Sequence, residues 1–249
     1  MKMKFNQIII LVIFYAFAYN QELNPLQILE KTANRLHLED ISFSCDIKLQ
    51  SLSKEPSNLS FQFNSFWSDS TNYYTYLKFK SPIDYKNTEL WSHYSDSILM
   101  KKRMPINDKI TKVDNNFEGI DIVDFLNFSE LLKDIKGNIL SIEEVDYEKK
   151  TVYLIRSFKE KNKKKSINFY IDKNNFSTYK IEWKNKRGVL NKVLSFNNWK
   201  LVNKKNIPSK IIYEDKKKGL KTTCLLSSIS LNKIDKKNID IIKIGFNND

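Results

Sequence analysis

Ile41-Ser42-Phe43-Ser44-Cys45-Asp46-Ile47-Lys48-Leu49-Gln50 places an apolar residue at every odd position and a polar one at every even position. That period of two belongs to a strand with one dry face and one wet face; on a helix the same residues would be scattered around the axis. The pattern repeats downstream. Leu59, Phe61, Phe63 and Trp67 give the apolar face of a second segment after a turn at Glu55-Pro56-Ser57-Asn58, and Tyr73 to Phe79 give a third. Further strands are expected at 88–94, 97–103, 108–113, 138–146, 150–159, 165–171, 176–184, 189–202, 207–214 and 220–231.

The connections fix how these strands pair. Asp146 to Lys149, Asp172-Lys173-Asn174-Asn175, Lys184 to Gly188 and Lys216 to Gly219 are short and turn-like. Short links join antiparallel neighbours, whereas parallel strands need a crossover of a dozen or more residues. One stretch breaks the rule: over 117–135, Ile120, Val123, Phe125, Leu126, Phe128, Leu131, Leu132 and Ile135 crowd without alternation and read as one or two short helices. Upstream, Asn24-Pro25-Leu26-Gln27 has the form of a helix start, with Asn as N-cap, Pro at the first helical position and Gln three residues after the cap. Leu26, Leu29, Ala33 and Leu36 then predict one amphipathic helix over 25–37. The order is helix, six strands, helical insertion, seven strands.

Twelve tyrosines, 16 phenylalanines and four tryptophans are more aromatic mass than a thin two-layer domain needs. A large curled sheet must either fill its concave face or leave it open. The expected fold is therefore mainly β with short helices: a curved antiparallel sheet whose concave face two helical segments could cover, enclosing either an apolar hollow or an ordinary packed core. Phe43, Ile47, Phe61, Phe63, Leu77, Phe79, Phe169 and Ile181 lie on apolar strand faces that would bound the hollow and are the candidate cavity lining. Phe125, Leu126, Phe128 and Leu131 are the candidate lid. A dry packed core draws on the same residue types, so both readings stand for each position.

At the N-terminus, Met1-Lys2-Met3-Lys4 precedes an apolar run from Ile8 to Ala18 that ends in Ala16-Phe17-Ala18, the layout of a cleavable secretory signal. The run is too short for a membrane span, which needs roughly 20 residues. No cysteine flanks the cleavage site, so no lipid anchor is expected. The chain divides into a signal peptide at 1–18, a domain at 19–232 and a polar tail at 233–249. The formal net charge is +13, and loss of Lys2 and Lys4 brings it to +11. Only Arg35, Arg103, Arg156 and Arg187 are arginine; lysines cluster at Lys161 to Lys165 and Lys216 to Lys218. Export argues against a nucleic-acid partner. An electrostatic leaning towards anionic lipid surfaces and a merely solvated lysine surface both fit.

Catalytic signatures are lacking. There is no G-x-S-x-G, no H-E-x-x-H and no phosphate-binding glycine loop, and neither His37 nor His93 lies in a signature with a nucleophile. The pairs Glu143-Glu144 and Asp121 with Asp124 read as solvated surface. A non-enzymatic protein without a metal is expected. Cys45 falls on the apolar face of its strand, whereas Cys224 alternates with Leu225, Ile229 and Leu231 and should point away from them, which argues against a disulfide.

The run Leu77-Lys78-Phe79-Lys80-Ser81-Pro82-Ile83-Asp84-Tyr85-Lys86-Asn87-Thr88-Glu89-Leu90 resembles the strand, Ser-Pro, Lys-Gly-Thr, Leu segment of the LolA-like lipoprotein-sorting family. So does the ordered set Phe169-Tyr170-Ile171-Asp172-Lys173, Tyr179-Lys180-Ile181, Gly188 to Lys192, Ile207-Pro208-Ser209-Lys210, then Gly219, Thr222 and Thr223. The likeness covers roughly 24–232. It departs at Asn87, where the family commonly has glycine, and at Ile98-Leu99-Met100 with Pro105, in place of a Trp-aromatic-Pro strand. No position matches the family's arginine that partners cargo release. The resemblance implies an incomplete antiparallel β-barrel, a half-barrel, with helices covering the concave face, and a monomeric periplasmic carrier that holds lipoprotein or lipid acyl chains in its hollow, taking them from an inner-membrane donor complex to an outer-membrane acceptor. An envelope-stress sensor on the same half-barrel and a structural envelope protein with a filled core are the alternatives.

Overall fold

Thirteen strands form one antiparallel sheet in the computed structural model, which describes residues 24–36, 39–52, 55–69, 72–95, 98–106, 109–113 and 135–232, with Leu132, Asp240 and Phe246. They are β1 (Ile41–Ser51), β2 (Ser57–Trp67), β3 (Tyr73–Ser81), β4 (Glu89–Tyr94), β5 (Ile98–Arg103), β6 (Ile110–Val113), β7 (Ile139–Tyr147), β8 (Lys150–Lys159), β9 (Asn162–Asp172), β10 (Thr178–Lys184), β11 (Leu190–Val202), β12 (Lys205–Asp215) and β13 (Leu220–Leu231). The sheet order is β6-β5-β4-β3-β2-β1-β13-β12-β11-β10-β9-β8-β7. This is an up-and-down meander whose first and last strands pair with each other, while β6 and β7, consecutive in the chain, stand at its two edges. The sheet does not close into a barrel; it is the expected half-barrel.

Alternation sorts each strand into an inner and an outer face. In β1 the inner residues Phe43, Cys45 and Ile47 are buried while Asp46 and Lys48 are exposed. The inner cluster runs from β1 to β4 and on through β8 to β13, and includes Ile155, Ile171, Leu194, Phe196 and Ile211. A second, smaller cluster of Phe66, Tyr76 and Trp91 sits on the outer face, with Tyr74, Ile110 and Phe246 packed against it.

One helix, α1 (Pro25–Ala33), lies on the inner cluster. Its start follows the sequence: Asn24 Oδ1 accepts from the Gln27 amide at 2.9 Å, and Gln27 Oε1 accepts from the Asn24 amide at 3.1 Å. Two expectations about this helix need correcting. It stops at Ala33 and tightens into a 3-10 turn over Asn34–Leu36. Its buried stripe is Ile28, Leu29 and Thr32, and Leu26 is exposed. Thr32 can be buried because its hydroxyl donates to the Ile28 carbonyl at 2.8 Å, leaving no unpaired polar group.

Asn87, the departure from glycine, has φ 64° and donates its amide to the Phe79 carbonyl at 2.9 Å. Asparagine enters the left-handed region more readily than other residues with a Cβ, so the turn into β4 survives the replacement.

Candidate functional site

The eight candidate lining residues come from five strands. Phe43 and Ile47 lie on β1, Phe61 and Phe63 on β2, Leu77 and Phe79 on β3, Phe169 on β9 and Ile181 on β10. All eight are buried and belong to the one inner cluster. Cross-strand register brings them together. Phe43 faces Phe63, their rings stacked with centroids 4.6 Å apart; Phe61 meets Phe79 edge-on at 5.9 Å. Phe169 pairs with both Ile181 and Ile155. Three strands separate the β1 group from the β10 group, and Leu194, Ile211 and Cys224 bridge them across the concave face. Sequence reading missed these bridging residues, although their alternation was visible. Phe125, Leu126, Phe128 and Leu131 lie outside the described residues, as do residues 1–18 and His37; from the insertion, Leu132 and Ile135 pack on the cluster.

Cys224 corrects its expected orientation. It is buried in the inner cluster on the same side as Cys45, and Leu225 is exposed instead. The cause is a bulge: the β1–β13 register shifts between Ser42 and Ser44, and Ser228 takes φ 51°, so the phase read from Ile229 and Leu231 does not carry back to Cys224. The Cys224 thiol beside it, together with burial, pushes the Cys45 thiol pKa well up. Both cysteines are free.

One end of the concave face is held shut by α1 and the turn after it. Arg35 donates to Ser177 Oγ at 2.7 Å and to the Asn206 carbonyl, and its guanidinium lies 5.7 Å from the Trp199 ring centroid. Burial brings its pKa down to about 10 against the opposing pull of Asp172, so it stays a cation at neutral pH. Lys31 lies over Phe176, and Lys205 bonds the Arg35 carbonyl and Glu39. These contacts tie the C-terminal end of the helix to the β9–β10 and β11–β12 turns. No sequence signal marked Arg35 for this task, because its partners are some 140 to 170 positions away.

The opposite end of the strands opens into a groove of about 750 Å³ across β8 to β12. Ile167, Trp183 and Tyr213 give it an apolar floor; all three pack against the inner cluster, so the floor continues the core. A second depression of about 530 Å³ crosses β2, β1, β13 and β12 and is lined by mixed charge, Asp46 beside Lys48, Lys210 and Lys221.

The carboxylates singled out in the sequence are paired on the surface: Glu143 with Arg156 and Glu144 with Lys173. Asp121 and Asp124 lie outside the described residues. His93 sits with Nε2 3.0 Å from Asn72 Oδ1, its ring stacked on Tyr74 at 4.2 Å, and burial lowers its pKa. Among the described residues no cluster of His, Cys, Asp and Glu could hold a metal ion, and no helix is long and apolar enough to cross a membrane.

A family model described as "Uncharacterized protein" matches residues 71–239. No curated protein matches. Among solved structures, a putative outer membrane lipoprotein-sorting protein domain from Vibrio parahaemolyticus aligns at TM-score 0.67 with 14% identity, covering 88% of this chain and 97% of its own. A DUF1329 family protein from Desulfovibrio piger aligns at 0.63 with 15% identity, over 83% and 92%. A LolA superfamily protein from Nitrosomonas europaea aligns at 0.57 with 15% identity, over 85% and 95%. At these identities the likeness is one of fold.

Proposed function

We propose, since the chain belongs to the family of uncharacterized proteins matched over residues 71–239 and has the LolA-like half-barrel fold, that it is an exported, non-enzymatic carrier. It shields acyl chains of lipoproteins or lipids in the periplasm and moves them towards the outer membrane. The observation that carries this reading is the continuity of apolar surface from the buried inner cluster to the open groove. An ordinary closed core ends under its cover; here Ile167, Trp183 and Tyr213 extend the same surface to the rim.

Transport by such a device is a matter of matched environments. Each methylene held out of water is worth about 0.8 kcal/mol, so a bare acyl chain does not cross an aqueous gap, whereas exchange between a protein interior and a bilayer is close to neutral. Phe43, Ile47, Phe61, Phe63, Leu77, Phe79, Phe169 and Ile181 would face the chain, which enters from the groove and displaces the cover to which α1 belongs. Phe125, Leu126, Phe128 and Leu131 are proposed as the movable part of that cover.

The test is co-purification. Protein exported in a Gram-negative host and extracted with organic solvent should yield acyl species stoichiometrically by mass spectrometry, and loaded protein should release them to acceptor vesicles. Extracts free of acyl chains from a protein that also takes up no lipid in vitro would overturn the reading in favour of a filled core.

A further inference from the structure

The lysine clusters of the sequence are not spread over the molecule. Lys161, Lys163, Lys164 and Lys165 surround the β8–β9 turn, Lys184, Lys186 and Arg187 the β10–β11 turn, and Lys216, Lys217 and Lys218 the β12–β13 turn. An antiparallel meander puts alternate turns at the same end, so all three lie at the groove end of the half-barrel. Two acidic residues belong to these turns. Glu160 is exposed at the tip of one, and Asp215 is buried, its Oδ1 accepting the Lys217 and Lys218 amides at 3.0 Å. Glu214, next to Asp215, pairs with Lys221. The other end, where Arg35 fastens the helix, mixes both signs, with Glu39, Asp40, Asp69, Asp146, Glu148 and Asp172 beside Lys149, Lys150, Lys173, Lys204 and Lys205. The excess of positive charge therefore gathers at the groove end.

Five lysines line the groove itself, Lys165, Lys184 and Lys186 from these turns with Lys159 and Lys192 beside them. None forms an ion pair among the described residues, and Lys192 Nζ lies 6.0 Å from the Tyr213 ring centroid, at the edge of the apolar floor. Asn138, in the same groove, donates from its side-chain amide to Ser157 Oγ at 2.8 Å. The volume falls within the roughly 300–1,000 Å³ of small-molecule clefts.

From this juxtaposition of apolar floor and lysine rim we propose that the groove binds the head and proximal chain of a single-chain anionic amphiphile. The hydrocarbon lies on Ile167, Trp183 and Tyr213, and the phosphate or carboxylate head is held by Lys165, Lys184 and Lys192. This gives the acyl-binding reading a substrate class and an orientation: cargo enters tail first, and its negative head stays at the lysine end. A neutral or cationic head would leave the rim uncompensated, so charge selects cargo where a purely apolar hollow could not.

The full exported chain, delipidated, is titrated by calorimetry with dodecyl phosphate below its micellar concentration, with dodecanol, and with inorganic phosphate, and the site is mapped by amide chemical shifts. Dodecyl phosphate should bind more tightly than dodecanol and shift Ile167, Trp183, Lys192 and Tyr213, while inorganic phosphate alone should bind far more weakly. K165E/K184E/K192E should weaken dodecyl phosphate by about 10- to 100-fold, with dodecanol unchanged. If that variant misfolds by circular dichroism, the salt dependence of the unmodified protein replaces it, with binding falling as salt rises.

Equal affinity for dodecyl phosphate and dodecanol in both proteins overturns the proposal, as does saturation by inorganic phosphate alone. Lysine-dependent binding to phosphatidylglycerol vesicles without binding of the monomeric amphiphile also overturns it, and makes this end a membrane-docking surface. Failure of the carrier reading looks different. There the groove still binds dodecyl phosphate, but native acyl cargo is absent and Phe63→Glu changes nothing in uptake.

Discussion

Phe63→Glu puts a carboxylate where the inner cluster is densest. Phe63 is 1% exposed, stacked on Phe43 at 4.6 Å and opposite Leu77 on the next strand. Removing the ring costs about 3–5 kcal/mol by the precedent of buried aromatic truncations, within which the stack accounts for about 0.5–1.5 kcal/mol. The new carboxyl cannot stay ionised there without several kcal/mol more, so it takes up a proton and its folded pKa rises above the unfolded value near 4.3. The sign follows from proton counting. Above pH ~4.3 the unfolded chain has released a proton that the folded chain still holds. The variant therefore loses about 1.4 kcal/mol per pH unit relative to the parent until the raised pKa is passed. Urea unfolding followed by circular dichroism at pH 5, 6, 7 and 8 measures that slope, and lipid extracted from the variant at pH 5, where it is most stable, reports uptake. The expected result is a stability deficit that widens with pH together with lost acyl content. A deficit that is constant across this range would mean the carboxylate is hydrated, and the assignment of Phe63 to a dry interior would be wrong.

Three further outcomes follow from local geometry. Asn24→Ala removes the side-chain acceptor of the Gln27 amide while keeping the backbone amide that donates to Gln27 Oε1, and should cost about 1 kcal/mol in urea unfolding, with Asn24→Ser close to the parent. Arg35→Met leaves the Asn206 carbonyl without its partner and frees the end of the helix; hydrogen exchange over residues 25–33 should quicken by roughly tenfold or more, while β8 to β10 amides keep their protection. Asp172 is destabilised as an anion by its own burial, yet bonds from the Tyr179 hydroxyl at 2.6 Å and from the Asn174 and Asn175 amides outweigh this and lower its pKa. A depressed carboxylate pKa stabilises the fold above the unfolded value and loses that contribution as pH falls through the folded one. Tyr179→Phe should therefore be less stable at neutral pH and should show a smaller further loss on acidification between about pH 4 and pH 2.

Strand positions were legible because a period of two survives any tertiary context that keeps one face dry: every strand expected from Ile41 to Leu231 is present, most with ends within three residues. Short links and aromatic excess make a curved antiparallel meander legible, and the LolA-like resemblance carries the step from there to a half-barrel. What single-strand periodicity could not carry was phase across an irregularity. Counting back from Leu231 puts Cys224 on the opposite face, and one extra residue near Ser228 reverses that. The helix stripe failed differently: Leu26 and Ile28 are both apolar, and only docking decides which is covered. The apolar lining could be named residue by residue, because inward-facing hydrophobes announce themselves. The lysine rim could not, since Lys165, Lys184 and Lys192 meet only once strand order places three turns at one end.

Why the sheet stays open where it does is itself an argument about use. β6 (Ile110–Val113) and β7 (Ile139–Tyr147) stand at the two edges of the described sheet. β7 is guarded: Glu143, Glu144 and Asp146 mark it with negative charge, and the first two are engaged by Arg156 and Lys173 from neighbouring segments. Charged, ion-paired side chains on an edge strand resist addition of a further strand. A protein under pressure only to be stable would gain by closing the barrel, burying more apolar surface and removing both edges at once. A charge-guarded edge keeps the sheet open without inviting a further strand, which fits the carrier reading proposed above, in which hydrocarbon enters and leaves beside the cover.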